Sequence, residues 1–91
     1  MKTLAELKAK YMQDESFQEE YELLEETYRI AEKVIQARIE AGLTQTELAQ
    51  RIGTRQANIS RLESGTYNPS IELLIKVAEA TGKQLEVNFV S

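Results

Sequence analysis

Residues 44–65 read "TQTELAQRIGTRQANISRLESG", a polar stretch that Gly53 interrupts near its middle. The pattern predicts one helix from Gln45 to Ile52 and a second from Arg55 to Ser64, with Thr54 as the N-cap of the second. Two short helices leave more backbone groups without a partner than one long helix does. The break between them therefore requires a reason.

The residue types around the break predict a helix-turn-helix. Ala49 is small enough for a second helix to cross close above it, and Gly53 readily adopts the turn conformation that other residues resist. The shared core would come from Leu48, Ile52, Ile59 and Leu62. Such a break lets the second helix project at a steep angle and enter a DNA major groove. The alternative is a helical hairpin that serves packing alone.

Composition excludes several classes of function. The 91 residues allow one small domain, and a hydrophobic content of 42% with 29% charged residues is typical of a soluble globular chain. Cysteine and histidine are absent, as are the glycine patterns of nucleotide-binding loops. We therefore expect no enzyme, no cofactor and no metal site. No membrane-spanning run or signal peptide is visible, which predicts a cytoplasmic protein.

Further helices are predicted on both sides of the central pair. One spans Leu4 to Met12, another runs from Ser16 to Ala41 with a break near Thr27 left open, and a last one spans Ser70 to Thr81 with Ser70 as its N-cap. The chain then divides into a helical extension (1–26), a DNA-binding domain (27–83) and a C-terminal segment (84–91).

The C-terminal segment alternates apolar and polar residues in "QLEVNFV", residues 84–90, which predicts a strand. A single strand leaves its backbone groups unpaired. Pairing with the same strand of a second copy removes this problem and predicts a two-fold dimer through Leu85, Val87 and Phe89. A tail that packs as irregular coil is the alternative.

The sequence "GLTQTELAQRIGTRQANISRLESGTYNPSIELLIKVAEATG" resembles the Cro/phage-repressor-like, or XRE, helix-turn-helix family. The resemblance covers about residues 30–82. It implies a mainly α fold: a five-helix domain, here with an N-terminal helical extension and a short C-terminal dimerising β-strand. Double-stranded operator DNA is the implied partner.

The leader "DESFQEEYELLEETYRIAEKVIQARIEAGLTQ" and the tail "LEVNFV" together resemble HigA-type antitoxins of type II toxin–antitoxin modules. That resemblance implies a homodimer that neutralises a HigB-like ribonuclease toxin and represses its own operon. A free-standing XRE-type repressor without a toxin is the alternative.

Base-reading residues are expected on the second helix of the motif. Helical periodicity turns its apolar residues inward and Arg61 outward, with Gln56 in the first turn. Glutamine can bond adenine and arginine can bond guanine. Resemblance to phage repressors assigns base reading to Gln56, Ala57 and Arg61, and a contact with the DNA backbone to Gln45.

Other polar residues surround these four. Asn58 and Ser60 lie on the flanks of the same helix. The candidates for phosphate contacts are Thr44, Thr46, Arg55, Tyr67 and Asn68. A solvated side chain is the alternative for Arg55, and loop packing is the alternative for Tyr67.

One charged residue interrupts an apolar stripe. Arg38 falls between Val34 and Ala41 in the helix that precedes the motif, and a buried guanidinium needs a carboxylate partner. Glu63, on the inward side of the second helix, is the best candidate, and phage repressors have the same two residue types at matching places. Extension of Arg38 to solvent or phosphate is the alternative.

Acidic residues dominate the leader. Residues 1–33 contain nine Asp/Glu and five Lys/Arg, and residues 14–26 contain seven acidic residues and no basic one. We expect either a solvated helix face or a docking surface for a basic toxin. The toxin-binding candidates are Tyr11, Phe17, Glu19, Glu20 and Tyr21. A further apolar edge, which runs from Tyr21 through Tyr28 to Ile39, would be covered by the toxin or by the first helix.

Overall fold

The computed structural model describes residues 15–91, with side chains from Glu22 onward. This part of the chain forms four helices and no strand: α1 (Glu15–Glu40), α2 (Gln45–Ile52), α3 (Gln56–Leu62) and α4 (Ile71–Ala80). The prediction of a mainly α fold is confirmed. The five-helix count is not, and the predicted helix from Leu4 to Met12 lies outside the described residues. Within 15–91, no helix has both the length and the apolar character to cross a membrane.

Helix α1 is a single helix of 26 residues, roughly 39 Å long. The break considered near Thr27 is wrong: the helix contains no glycine or proline that would interrupt it. Thr27, Ala31, Val34 and Ala37 are buried, at the spacing of one helical face. Helix α1 therefore packs against the domain from Thr27 onward, whereas Leu23 is 60% exposed.

The core lies where α2 meets α3 and α4. Leu48, Ile59 and Leu62 are at most 1% exposed, and burial of each such side chain contributes roughly 1.5–3 kcal/mol. Val34 from α1 and Val77 from α4 complete the cluster with Leu43 and Ala49. Ile52, which was predicted as a core residue, packs against this cluster while partly exposed.

The caps explain where the short helices start. Thr44 accepts a hydrogen bond from the Glu47 amide at 3.1 Å, and Glu47 accepts one from the Thr44 amide at 3.1 Å, so α2 begins with a complete capping box. Ser70 caps α4 by accepting from the Leu73 amide at 3.1 Å.

The prediction that Thr54 is the N-cap of α3 is wrong. Arg55, not Thr54, occupies the N-cap position, and no side chain caps this helix. The Thr54 hydroxyl instead accepts a hydrogen bond from the Asn58 side-chain amide at 2.7 Å. The helix also starts one residue later than predicted and ends two residues earlier, at Leu62.

The predicted C-terminal strand is absent from the structure of this single chain. No strand lies beside residues 84–90 among the residues described, so the backbone groups of this segment have no ladder to join. The segment is anchored at its start. The Lys83 amide donates to the Ala78 carbonyl at 2.8 Å, and its side chain pairs with Glu40 at 2.7 Å. The hydrogen bond from Lys83 and a second one from Gln36 lower the pKa of the Glu40 carboxyl.

Candidate nucleic-acid interface

Gly53 closes α2 and sets the direction of α3. Its φ is +83°, and its amide donates to the Ala49 carbonyl at 2.9 Å and to the Gln50 carbonyl at 3.2 Å. The Thr54 amide also donates to Ala49, at 2.9 Å. A Cβ atom at Gly53 would meet nothing within 4 Å. Glycine is therefore favoured here by the backbone conformation and not by a close neighbour.

The buried face of α3 determines which residues point outward. Ile59 and Leu62 are buried against Leu48 and Ala49 of α2. Every residue of α3 apart from these two is exposed: Gln56, Ala57, Asn58, Ser60 and Arg61. The exposed face is polar except for Ala57, and it therefore offers hydrogen-bonding groups over about two helical turns.

The remaining predicted contacts adjoin this face on both sides in sequence. Thr44, Thr46, Arg55 and Asn68 are exposed, whereas Gln45 and Tyr67 are half-buried. Tyr67 packs against the core cluster, which is the alternative that the sequence left open for it. Arg55 and Arg61 make no ion pair within residues 22–91.

A chain of hydrogen bonds connects α1 to the first residue of α3. Arg38 donates from Nε to Glu63 Oε2 at 2.7 Å and from NH2 to Oε1 at 3.0 Å. Gln45 Nε2 donates to Glu63 Oε1 at 3.1 Å, and Gln56 Nε2 donates to Gln45 Oε1 at 2.7 Å. The exposed Gln56 side chain is thus held through Gln45 by a buried carboxylate.

The centre of this network is an ion pair with little access to water. The Arg38 side chain is 16% exposed and that of Glu63 is 5% exposed. The hydrogen bond from Arg38 to Glu63 raises the pKa of the guanidinium, against the opposing effect of burial. Arg38 also donates to the Leu43 carbonyl at 2.9 Å. This is the pairing that the sequence predicts, and Arg38 does not extend to solvent.

The positive charge around α3 is sparse. Arg51, which the sequence places near the motif, donates to the Ala80 carbonyl at 3.1 Å and so holds the end of α4. Arg55 and Arg61 are the exposed cations of the segment between Gly53 and Gly65. Hydrogen bonds from neutral side chains must therefore provide much of any contact with DNA.

The sequence did not indicate two contacts of α1. The Thr27 hydroxyl lies 2.7 Å from the Gly65 carbonyl oxygen, and the Tyr28 ring covers the same glycine. The place of Thr27 on the stripe with Ala31 and Val34 could have predicted its burial. It could not have predicted the partner, which is 38 positions away.

The predicted toxin-binding residues lie near or beyond the start of the described chain. Phe17, Glu19, Glu20 and Tyr21 belong to the first two turns of α1, and Tyr11 lies outside the described residues. Further along α1, Glu22 is exposed, and Glu25 and Glu26 pair with Arg29.

Comparison with known proteins gives consistent matches. The profile of the helix-turn-helix family matches residues 34–88. An uncharacterized HTH-type transcriptional regulator of Archaeoglobus fulgidus is 38% identical over 58 residues, which are 64% of this chain and 83% of that protein. Another, from Haemophilus influenzae, is 34% identical over 70 residues, or 75% of this chain and 71% of the relative.

A relative with a different name matches a larger share of the chain. The antitoxin HigA1 of Mycobacterium tuberculosis is 32% identical over 74 residues, or 81% of this chain, but only 50% of HigA1 is covered. No solved structure matches the chain.

Proposed function

Because the chain belongs to the XRE-type helix-turn-helix family, we propose that it is a sequence-specific DNA-binding transcriptional repressor. The observation that carries the proposal is the exposed polar face of α3, which is fixed on α2 by buried Leu48, Ile59 and Leu62. A helix held in this way can enter a major groove without unfolding. Such a role places the protein in the cytoplasm.

Each predicted contact residue then has a role. Gln56, Ala57 and Arg61 read bases, Asn58 and Ser60 flank them, and Gln45 contacts the DNA backbone. The phosphate contacts come from Thr44, Thr46, Arg55 and Asn68, and from the part of half-buried Tyr67 that its packing on the core leaves accessible. The bond from Gln56 to Gln45 uses one amide hydrogen, so a second hydrogen and the oxygen remain, which is the donor–acceptor pair that adenine requires.

Arg61→Ala tests the reading of bases. On a duplex selected from a random pool by the wild-type protein, the loss should be roughly 1–3 kcal/mol, because a bidentate guanine contact disappears. On a scrambled duplex the loss should be smaller, as fluorescence anisotropy at fixed salt would measure. Arg51→Ala is the control, since Arg51 bonds Ala80 and should leave the ratio between the two duplexes unchanged. If Arg61→Ala lost the same binding free energy on both duplexes, Arg61 would contact a phosphate and would not read a base.

The proposal includes a dimer formed through the C-terminal segment. Val87 is 63% exposed and Phe89 fully so. Leu85 and Val87 also line an apolar groove of about 580 Å³ between α1 and α4. A second copy that covers this groove and the adjoining Phe89 would remove apolar surface from water on both chains. Two copies also double the contacts with DNA, which the sparse positive charge of one copy favours.

We further propose that the protein is an antitoxin, with a HigB-like ribonuclease as its partner. The similarity to HigA1 supports this role. So does the acidic start of α1, which complements the basic surface that a ribonuclease needs to hold RNA. Leu23, 60% exposed beside Glu22, adds an apolar contact. The second candidate, a regulator without a toxin, is favoured by the relatives named only as transcriptional regulators.

Charge reversal separates the two roles. The triple substitution Glu19→Lys, Glu20→Lys and Glu22→Lys should abolish rescue of cells from the toxin encoded beside this gene, because like charges would then meet. Binding to the selected duplex should persist. Glu79→Lys, a charge reversal at an exposed residue of α4, is the control and should still rescue. Full rescue by the triple variant would place the toxin contact elsewhere, and the absence of any toxin gene would favour the plain regulator.

A further inference from the structure

Within residues 22–91, Thr27 is the one polar residue that is buried as a whole, with 7% of it exposed, whereas Glu63 is buried only through its side chain. Its hydroxyl oxygen lies 2.7 Å from the Gly65 carbonyl oxygen and 2.8 Å from that of Leu24. A hydroxyl has a single hydrogen to donate. The Leu24 carbonyl lies inside α1, where the helix provides a partner, whereas the Gly65 carbonyl accepts no backbone hydrogen bond from the residues described. Donation to Gly65 is therefore the bond that satisfies a buried group.

Tyr28 covers the same glycine. A Cβ atom at residue 65 would lie 2.7 Å from Cδ1 of the Tyr28 ring, so the ring occupies the space that any other residue would need. Gly65 also has a φ of +83°. Two adjacent residues of α1 thus hold Gly65, the third residue after α3, one through a hydrogen bond and one through ring contact.

Gly65 is the third residue of the connection from α3 to α4, and we name residues 65–70 of this connection the 65–70 loop. Tyr67 and Asn68 of this loop are proposed phosphate contacts. Residues 65–69 make no backbone–backbone hydrogen bond with the residues described. Near Gly65 the loop is further held by Thr66, whose amide donates to the Ser64 hydroxyl at 3.3 Å and whose hydroxyl lies 3.0 Å from the same oxygen. Tyr67 packs on the core, and Ser70 at the far end caps α4. The path of the loop therefore depends strongly on its anchor at Gly65.

We propose that Thr27 and Tyr28 are positioning residues for the DNA contacts of the 65–70 loop. The inference rests on the proposed DNA-binding function and extends the binding unit into α1. A hydrogen bond to a phosphate weakens steeply once the distance exceeds about 3.2 Å or the angle falls below about 120°. A loop released at Gly65 would lose that geometry at Asn68 while the α3 face stays in place.

A double-mutant cycle on the full-length chain tests this, with the duplex selected from a random pool as the probe. Thr27→Val removes the hydroxyl with little change of shape and should weaken binding about two- to tenfold. Thr27→Ser keeps the hydroxyl and should bind within about twofold of wild type. In the Thr27→Val background, Asn68→Ala should cost less than it does in wild type, because the contact is already impaired.

The pair Thr27→Val and Arg61→Ala is the uncoupled control, because the two losses of binding free energy should add. Thermal unfolding of each variant confirms that it is folded at the temperature of the binding measurement. Tyr28→Ala takes the place of Thr27→Val in the cycle if the latter does not fold.

Three results would overturn the inference: equal binding by Thr27→Val and wild type, additive effects of Thr27→Val and Asn68→Ala, or no effect of Asn68→Ala on wild type. Each of them leaves the loss caused by Arg61→Ala intact. Failure of the proposed function itself would look different, because the wild-type protein would then select no duplex from the pool.

Discussion

At the scale of single residues, two glycines with the same backbone conformation serve different purposes. Gly53 and Gly65 both have a φ of +83°. Open space surrounds the missing side chain of Gly53, whereas the Tyr28 ring fills that of Gly65. Only the conformation constrains residue 53, while conformation and packing together constrain residue 65.

Gly65→Ala should therefore destabilise the fold more than Gly82→Ala does. Gly82 has a φ of +73° and no atom within 4 Å of a built Cβ, so alanine there should cost about 1–2 kcal/mol. At Gly65 the clash with Tyr28 adds about 1–3 kcal/mol. Urea denaturation measures both. Tyr28→Ala in the Gly65→Ala background should recover part of the difference, and equal losses at the two glycines would show that the ring yields freely.

The sequence reveals some of these residues and not others, for physical reasons. A charge inside an apolar stripe requires a partner, so Arg38 and Glu63 could be paired in advance. Thr27 is small and neutral, and many environments satisfy a hydroxyl, so nothing in the sequence indicated Gly65. For Gln45 the sequence indicated only a contact with the DNA backbone. Its hydrogen bonds to Glu63 and Gln56 could not be predicted, because they depend on how α2 and α3 cross.

At the scale of elements, helix starts that depend on hydrogen bonds between residues close in sequence could be predicted well. The capping box at Thr44 and the cap at Ser70 fixed the starts of α2 and α4. Thr54 is not the cap because α3 begins one residue later than predicted, which puts Arg55 at the N-cap position. The strand expected in residues 84–90 is absent for another reason. The alternation of apolar and polar residues is a property of this segment alone, whereas a strand also needs a neighbouring strand to pair with.

The capping box of α2 should make stability depend on pH. The hydrogen bond from the Thr44 backbone amide lowers the pKa of the Glu47 carboxyl from its ordinary 4.5. The folded state therefore favours the charged form, so this contribution is present above pH 4.5 and is lost as the pH falls through the lower, folded-state value.

Glu47→Gln keeps a side chain that can close the capping box but cannot titrate. The urea midpoint of the wild-type protein should exceed that of Glu47→Gln at pH 7, and this difference should shrink as the pH is lowered to 3. A difference that stays constant across this range would exclude Glu47 as the titrating group.

At the scale of the whole molecule, α1 joins the acidic leader to the core and to the connection after α3. The C-terminal segment follows α4 and lines a groove beside α1, with Val87, Phe89 and Val90 exposed. Exposed apolar side chains that adjoin a groove are typical of an interface. These features are the basis of the two protein contacts that we propose for this small domain besides its α3 face.

The double substitution Val87→Lys and Phe89→Lys should shift the protein toward monomer in sedimentation velocity, because charges would enter the proposed interface. Binding to a palindromic duplex should weaken by at least about tenfold, since two half-sites would no longer be held together. Ile39→Lys is the control, as Ile39 is 62% exposed on α1 and should change neither result. A variant that remains dimeric would place the interface elsewhere.

The most direct test of sequence-specific DNA binding compares two duplexes of equal length and base composition at about 150 mM salt. One is selected from a random pool by the full-length protein, and the other is its scrambled version. If the protein binds DNA in this way, the selected duplex should contain an inverted repeat with half-sites about one helical turn apart. The protein should bind it at least about a thousandfold more tightly than the scrambled duplex. Equal affinity for both duplexes would contradict sequence-specific binding.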